Sequence, residues 1–386
     1  MYYIPRVPVY QAATLPTIFG GFSDLRRVII SERIDLLHAH QAFSAMANEA
    51  VIHARTMNIP TVFTDHSLFG FADAASILMN KALKFSLADV QRVICVSHTS
   101  RENTVLRACI PPRRVYVIPN AVDMAAFYPS QYPDRMALDK ADNTIIVMCR
   151  LVYRKGIDLL ISILPVLARK YPHLSFLIGG DGPKRADLET AIAEHGLGDR
   201  VELAGPIPHT KVKDFLSRGS IFLNCSLTEA FCVALVEAAA VGLTIVSTGV
   251  GGVPEVLPED MMILADASPT GLMKAVEEAL VRVESLSRMR SDDGYCRWRF
   301  ERAMEQHQSV TRMYSWSVVA SRTEKVYFDA IRHDRKSLSE RLYRYYLCGK
   351  WFGKICVLLA VVDWLLLLVL QVRRPAHRIL AKGPDR

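Results

Sequence analysis

Several common signals are missing from this 386-residue chain. Its eight cysteines include no CxxC or comparable paired spacing, which argues against zinc-ribbon and dithiol redox chemistry. D-x-D occurs nowhere, so a diphosphate held through a metal is disfavoured and no metal or other cofactor is expected. The opening residues MYYIPRVPVY lack a basic n-region and an apolar core, so no secretory leader is expected. What remains is 51% apolar and 22% charged, a balance that suits packed cores rather than disorder. The length allows two ordinary domains. Cys95, Cys149 and Cys225 fall in apolar runs and are expected to be reduced packing residues.

The net charge of +8 is uneven along the chain. From Arg332 onward there are 12 Lys/Arg against 4 Asp/Glu, so residues 1–331 carry no net charge. That location excludes a nucleic-acid footprint. The excess flanks one long apolar segment, Ile355 to Val372, and a bilayer span needs about 17–25 residues. Trp351 and Trp364 add aromatic character there. Asp363, within the segment, would cost roughly 2.5–3.5 kcal/mol on an insertion scale unless it faced a partner helix. Basic residues lie on both sides, so charge does not set the orientation. A single-pass membrane helix is expected, with the flanking charges as headgroup contacts; a buried or surface-lying helix is the alternative.

Short apolar, β-branched runs alternate with helical stretches. Strands are expected at 36–40, 61–66, 92–97 and 115–120, and again at 145–151, 175–180, 201–205, 221–226, 244–249 and 261–265. Amphipathic stretches at 44–57, 156–169, 185–195 and 231–241 lie between them. Continuous apolar strands separated by helices imply an α/β fold of two doubly wound Rossmann-like domains. The polar segment 124–143, with two prolines, reads as a linker. The expected division is 1–127, then 128–330, then a basic juxtamembrane region 331–386 with its helix at about 355–372. The first half has four strands to the second's six and no strand–Gly-rich loop–helix opening, so an N-terminal βαβ unit is expected to be missing.

Ligands of such sheets bind at the carboxyl ends of strands. After strand 145–151 come Arg150 and Lys155, two cations entering a helix, suited to a diphosphate; a solvated basic loop would look the same. Gly179-Gly180-Asp181-Gly182 ends the next strand, where Gly180 would allow a ligand close to the backbone. After strand 221–226, Glu229 sits in the turn and Glu237 two turns up the following helix. One could take sugar hydroxyls and the other a ribose diol. The N–H groups of Cys232, Val233 and Ala234 would open that helix as free donors. In the first half His66 and His98 follow strands and could bond a sugar hydroxyl or phosphate, or be structural. His38 and His40 straddle another strand end without a metal-ligand pattern.

RLVYRKGIDLL, GGDGPKR, SLTEAFCVALVEAAAVGL and STGVGGVPEVLP together resemble the retaining GT-B glycosyltransferases of family 4. FSAMANEA, TVFTDHSLFGFADAASI, ICVSHTSRENTVLRA, VIPNAVD and RTEKVY are similar, within that family, to the branch acting on phosphatidylinositol. The resemblance spans about residues 25–372. It implies UDP-N-acetylglucosamine as donor, phosphatidylinositol as acceptor and the first step of GPI-anchor synthesis. It also implies a multi-subunit complex in the endoplasmic reticulum membrane, with the catalytic domains facing the cytosol. By position Arg150 and Lys155 match the diphosphate pair, Glu229 and Glu237 the paired glutamates for sugar and ribose, His66 the histidine near the reacting carbon, and Gly205–Ile207 the loop holding the base. A family member using another lipid or glycan, and a non-catalytic member of the complex, are the alternatives.

Overall fold

The computed structural model describes residues 1–4, 8–10, 13–14, 17–68, 74–130, 143–288, 292–332 and 336–382. They form two compact units, Met1–Ile118 with Ala320–Arg386, and Pro119–Val319.

The first unit opens with a short antiparallel pair, β1 (Pro8–Tyr10) and β2 (Ala13–Thr14). Then α1 (Phe22–Ser31), β3 (Leu37–His40), α2 (Ala45–Thr56), β4 (Thr61–Asp65), α3 (Ala74–Ala88), β5 (Arg92–Cys95), α4 (His98–Ala108) and β6 (Val115–Val117) alternate. The strands form a parallel sheet in the order β3-β4-β5-β6. Every residue of β4 and β5 is buried, as a sheet covered on both faces requires. The helices start where serines can cap them. Ser44 accepts from Ala47 N at 3.1 Å and Ser97 from Ser100 N at 3.1 Å.

The second unit runs β7 (Thr144–Met148), α5 (Ile157–Lys170), β8 (Ser175–Gly179), α6 (Arg185–Glu194), β9 (Val201–Gly205), α7 (Val212–Leu216), β10 (Ile221–Asn224), α8 (Val233–Val241), β11 (Thr244–Thr248), β12 (Met262–Ala265), α9 (Pro269–Arg288) and α10 (Asp292–Tyr314). Its parallel sheet has the order β12-β11-β10-β7-β8-β9. The chain winds outward from β7 to β9 and then returns to the other side of β7 with β10. The carboxyl ends of β7 and β10 therefore flank a topological switch point, where α/β sheets hold ligands. Ile145, Val147, Phe176, Ile178 and Leu223 from the strands pack with Leu160, Ile163 and Leu167 of α5 in one core. Gly242, which ends α8, lets α10 approach closely: a Cβ there, where φ is +95°, would meet Ala303 at 2.4 Å. All ten strands of the two parallel sheets lie where the apolar runs predict them.

The tail comprises α11 (Trp316–Arg332), α12 (Leu338–Tyr346), α13 (Phe352–Arg373) and α14 (Ala376–Lys382). The units divide at Ile118 and Val319, not at 127 and 330, and the tail from Ala320 belongs to the first unit rather than standing apart. Most of the expected linker, 131–142, lies outside the described residues. The reason for the difference is a set of polar clasps between residues remote in sequence. Arg92 forks onto the Asp329 carboxylate, with Nη2 at 3.0 Å from Oδ1. Tyr327 Oη lies 2.7 Å from His38 Nδ1. Arg341 Nε donates to Asp89 Oδ2 at 2.7 Å, and Arg55 Nε reaches the same oxygen at 3.1 Å.

α13 carries the apolar segment and extends a few residues beyond 355–372. Among the described residues it is the one helix long and apolar enough to cross a membrane, with a mean hydropathy of 2.7. Its buried residues Gly353, Cys356, Ala360, Asp363 and Leu367 recur every three or four positions and so share one face. Asp363 is fully buried on that face, its Oδ1 2.7 Å from His53 Nδ1 on α2. Phe22 stacks on the His53 ring at 4.4 Å. The partner that this carboxylate needs is supplied within the chain.

Candidate functional site

In the second unit the switch point gathers the residues singled out from the sequence. Two residues after β7 stands Arg150, which is exposed, and a single 3-10 turn, Tyr153–Lys155, leads to Gly156 at the start of α5. Gly156 has φ +69°, and a Cβ there would lie 1.8 Å from Cys225 O, in the segment after β10. The two loops are thus in backbone contact, and Leu227 N donates to Arg154 O at 2.9 Å. This approach brings Lys155 to Glu229. Lys155 Nζ donates to Glu229 Oε1, with the side chains only 22% and 12% exposed. Ser226 Oγ lies 2.9 Å from the same oxygen and 2.8 Å from Asn224 Oδ1. Asn224 Nδ2 donates to Ser247 Oγ at 2.8 Å. The glutamate is therefore fixed by an ion pair and by a chain of hydrogen bonds running into the sheet.

The electrostatics follow from this packing. Burial pulls the Lys155 ammonium down, but Glu229 and the Cys232 thiol outweigh it, and its pKa ends above the ordinary lysine value. Burial and the Glu229 charge push Cys232 up to about 12, so it stays a neutral thiol at the N-cap of α8. That helix has no side-chain cap, leaving the first-turn N–H groups of Val233 and Ala234 without intrahelical partners. Glu237, on α8, is raised by burial against the opposing pull of His209, whose Nε2 is 3.9 Å from Glu237 Oε1.

Gly180 follows β8 with φ +125°, and a Cβ there would lie 1.8 Å from Cys149 O. Its N–H donates to Gly205 O at 2.7 Å. Ile207 approaches the same turn, its Cγ1 3.0 Å from where a Cβ on Gly179 would be. Arg150, Lys155, Gly180, Ile207, Glu229, Cys232, Val233, Ala234 and Glu237 all lie at or just beyond the carboxyl ends of β7 to β10 or on the helix after β10.

His66 belongs to the first unit, one residue after β4. Its Nε2 lies 3.1 Å from His40 Nδ1, with the rings stacked at 5.4 Å. His38 is held between Tyr327 and Thr64, its Nε2 2.7 Å from Thr64 Oγ1. Burial, with His40 and His66 beside it, pushes His38 down to about 3, so it remains neutral. Asp65 is fully buried and accepts from Ser67 N and Thr104 Oγ1, each at 2.9 Å. It fixes the end of β4 that carries His66. His98 opens α4 behind the Ser97 cap.

Residues 1–73 match the family described as PIGA (GPI anchor biosynthesis), and residues 131–292 match glycosyl transferases group 1. The chain is 47% identical over 385 residues to a phosphatidylinositol N-acetylglucosaminyltransferase subunit of Arabidopsis thaliana, covering 100% of this chain and 82% of that protein. To the like-named subunit of Homo sapiens it is 46% identical over 376 residues, covering 97% and 74%. The chain belongs to this PIGA family of phosphatidylinositol N-acetylglucosaminyltransferase subunits. A solved glycosyltransferase from Rickettsia africae is similar with a TM-score of 0.64 at 16% identity, covering 86% of this chain and 85% of that one. That likeness gives the GT-B fold, and the chain is a glycosyltransferase of the PIGA family.

For this PIGA family member, sequence reading missed three neighbours of the expected residues, Ser226, Asn224 and His209, and named His40 without its partner. Ser226 and Asn224 stand at the end of a strand beside Glu229, a place that could have been searched. His209 and His40 carry no local pattern, because each meets its partner across the sheet's carboxyl edge.

Proposed function

We propose that this chain transfers N-acetylglucosamine from UDP-N-acetylglucosamine to phosphatidylinositol, with retention, as the first step of GPI-anchor synthesis. The observation that carries the reading is the Lys155–Glu229–Ser226 cluster at the switch point, beside the uncapped start of α8. Such a site offers positive charge and backbone donors on one side and a fixed carboxylate on the other. The diphosphate would lie against Arg150, Lys155 and the N–H groups of Cys232, Val233 and Ala234. Gly180 would admit it close to the backbone, and the Gly205–Ile207 loop would hold the base. Glu237 would take the ribose diol, and Glu229 the hydroxyls of the sugar.

In the reaction the bond from the anomeric carbon to the diphosphate oxygen breaks and a bond to an inositol oxygen forms. The inositol proton passes to the departing UDP. Arg150 and Lys155 stabilise the charge that develops on UDP, in the role a metal would otherwise fill. Lys155 is already positioned by Glu229, so little reorganisation is needed as that charge grows. No covalent glycosyl–enzyme is invoked. His66, held by His40, would bond the sugar near the reacting carbon.

The relatives are named as subunits, which supports a multi-subunit assembly, and α13 is consistent with membrane association. The reading extends this to the endoplasmic reticulum membrane, with both units on the cytosolic side. The test is incorporation of labelled N-acetylglucosamine from UDP-N-acetylglucosamine into phosphatidylinositol by membranes expressing the chain with its partner subunits. Labelled product is expected from the native chain, and Glu229→Gln should lower it by about 10²–10³-fold. Unchanged transfer by Glu229→Gln would remove its role, and label appearing only in another lipid would overturn the acceptor.

A further inference from the structure

A second site lies in the first unit, at the opposite end of its sheet. A cavity of about 440 Å³ opens where the chain enters β5 and β6, bounded by Val90–Arg92, Ile110–Arg114, the end of α3 and the turn after α12. Among the described residues six cations line it, Lys84, Arg92, Arg113, Arg114, Lys336 and Arg344, and no carboxylate does. The carboxylates behind the wall are already engaged. Asp89 holds Arg55 and Arg341, and Asp329 holds Arg92. Among the described residues Arg114 and Arg344 reach only the carbonyls that end α3, Leu87 O and Ala88 O, at 3.3–3.5 Å. Burial first, and then their mutual repulsion against the opposing pull of Asp89, shape their ionisation. Burial, with Arg344 and other arginines nearby, pushes Arg114 down to about 10, and burial with Arg344 and Arg114 pushes Lys336 down to about 8. Cations crowded this way lower one another's stability unless an anion joins them.

The surroundings indicate which anion. Arg344, Leu347 and Cys348 of the cavity wall immediately precede α13. Around that turn Tyr343, Tyr346, Leu347 and Trp351 are exposed, and Ile355 and Leu358 continue the apolar surface along the helix. Aromatic residues next to an apolar helix sit at headgroup depth, and basic pockets at that depth take lipid phosphates. On the proposed function the reacting acceptor belongs elsewhere: His40 ends β3 and His66 follows β4, across a sheet whose strands rise about 3.3 Å per residue.

We propose that this cavity binds the phosphate-bearing headgroup of an anionic membrane lipid, as an accessory site that seats the first unit on the bilayer. The site is independent of which sugar or acceptor the enzyme uses.

The test is binding of dioctanoyl phosphatidic acid to the full chain in neutral detergent, with dioctanoyl phosphatidylcholine as the uncharged-headgroup control. The acidic lipid is expected to bind at least tenfold more tightly. The triple variant Arg114→Gln, Lys336→Gln, Arg344→Gln should lose that preference, while Arg169→Gln, Arg282→Gln, Arg297→Gln, with the same charge removed from the second unit, should keep it. Equal loss in both variants would reduce the effect to net charge and overturn the site. So would unchanged binding by the first variant. Inorganic phosphate displacing the lipid at equal concentration would make the ligand a soluble anion, and tighter binding of a polyglutamate peptide would make it a partner protein. Because the triple variant could fold poorly, acetylation of Lys336 in the native chain gives a second measure. Phosphatidic acid should slow that acetylation, and absence of protection would overturn the proposal.

Discussion

The two units use buried charge in opposite ways. In the second, Lys155 and Glu229 meet at the carboxyl edge of the sheet, partly open to a ligand. In the first, Asp65 beside Arg107 is enclosed at the carboxyl edge next to His66, and other buried pairs join segments hundreds of residues apart, as Asp89 joins α2 to α12 and His53 joins α2 to α13. An ion pair at a switch point is placed to change partners when substrate arrives. One between distant segments, fully enclosed, can only hold. Charge placement thus separates the chemistry from the architecture that docks the tail.

The sharpest way to break this comparison is at Lys155. Lys155→Gln is expected to reduce sugar transfer by about 10²–10³-fold, the cost of losing one preorganised donor to a developing anion. The double variant with Glu229→Gln should be little worse than either single one, because groups that act as a unit are not additive. Labelled product from membranes measures both. Additive losses would mean that the pair in the structure does not act as one.

The holding role should appear as stability instead. Asp89→Asn leaves Arg55 and Arg341 enclosed without a carboxylate, and removing one partner of a buried pair costs about 3–5 kcal/mol. Asp89 Oδ1 and Arg55 Nη2 find no hydrogen-bond partner among the described residues, so the arrangement has little spare capacity to absorb the change. Chemical denaturation should show the loss, while UDP binding at the second unit stays as before. Weakened UDP binding would mean that the units are not separable in this respect.

The same contrast explains what could be read from the sequence. The second unit's site is made of residues that each follow a strand, so a pass along the chain finds Arg150, Gly180 and Glu229 once the strands are placed. Apolar continuity placed them, since IIVM and IFLN tolerate no other environment. The first unit's clasps are invisible by that route. Asp89, Arg341 and Asp329 look like ordinary surface charges in their own segments, and only the fold reveals that each meets a distant arginine or carboxylate, with Asp89 and Arg341 buried. For the same reason the unit boundaries fell at 118 and 319, where the contacts divide, rather than at the polar segment and basic tail.

Asp363 sharpens the comparison from the tail. If its bond to His53 docks α13, then His53→Ala and Asp363→Ala should couple by about 0.5–3 kcal/mol in a double-mutant cycle. The readout is denaturation of the full chain in detergent. A coupling near zero would leave the docking of α13 to its Gly353, Cys356, Ala360 and Leu367 face alone.

The smallest effect belongs to Glu237, which tests whether the second unit also carries enclosed charge that merely costs stability. Burial raises its pKa in the fold, and His209 at 3.9 Å only partly opposes this. An acid with a raised folded pKa contributes stability that is fully present below the unfolded value of 4.5 and is lost as pH rises through the folded value. The native unit should therefore lose a little stability through this group as pH rises above the ordinary carboxylate range, and Glu237→Gln should flatten that part of the profile. Thermal melts of the two proteins across this range measure it. A profile unchanged by the substitution would mean that the carboxylate is as well solvated in the fold as in the unfolded chain. A flattened profile would mark Glu237 as strained while its site is empty, a condition that bonding to a ribose diol would relieve.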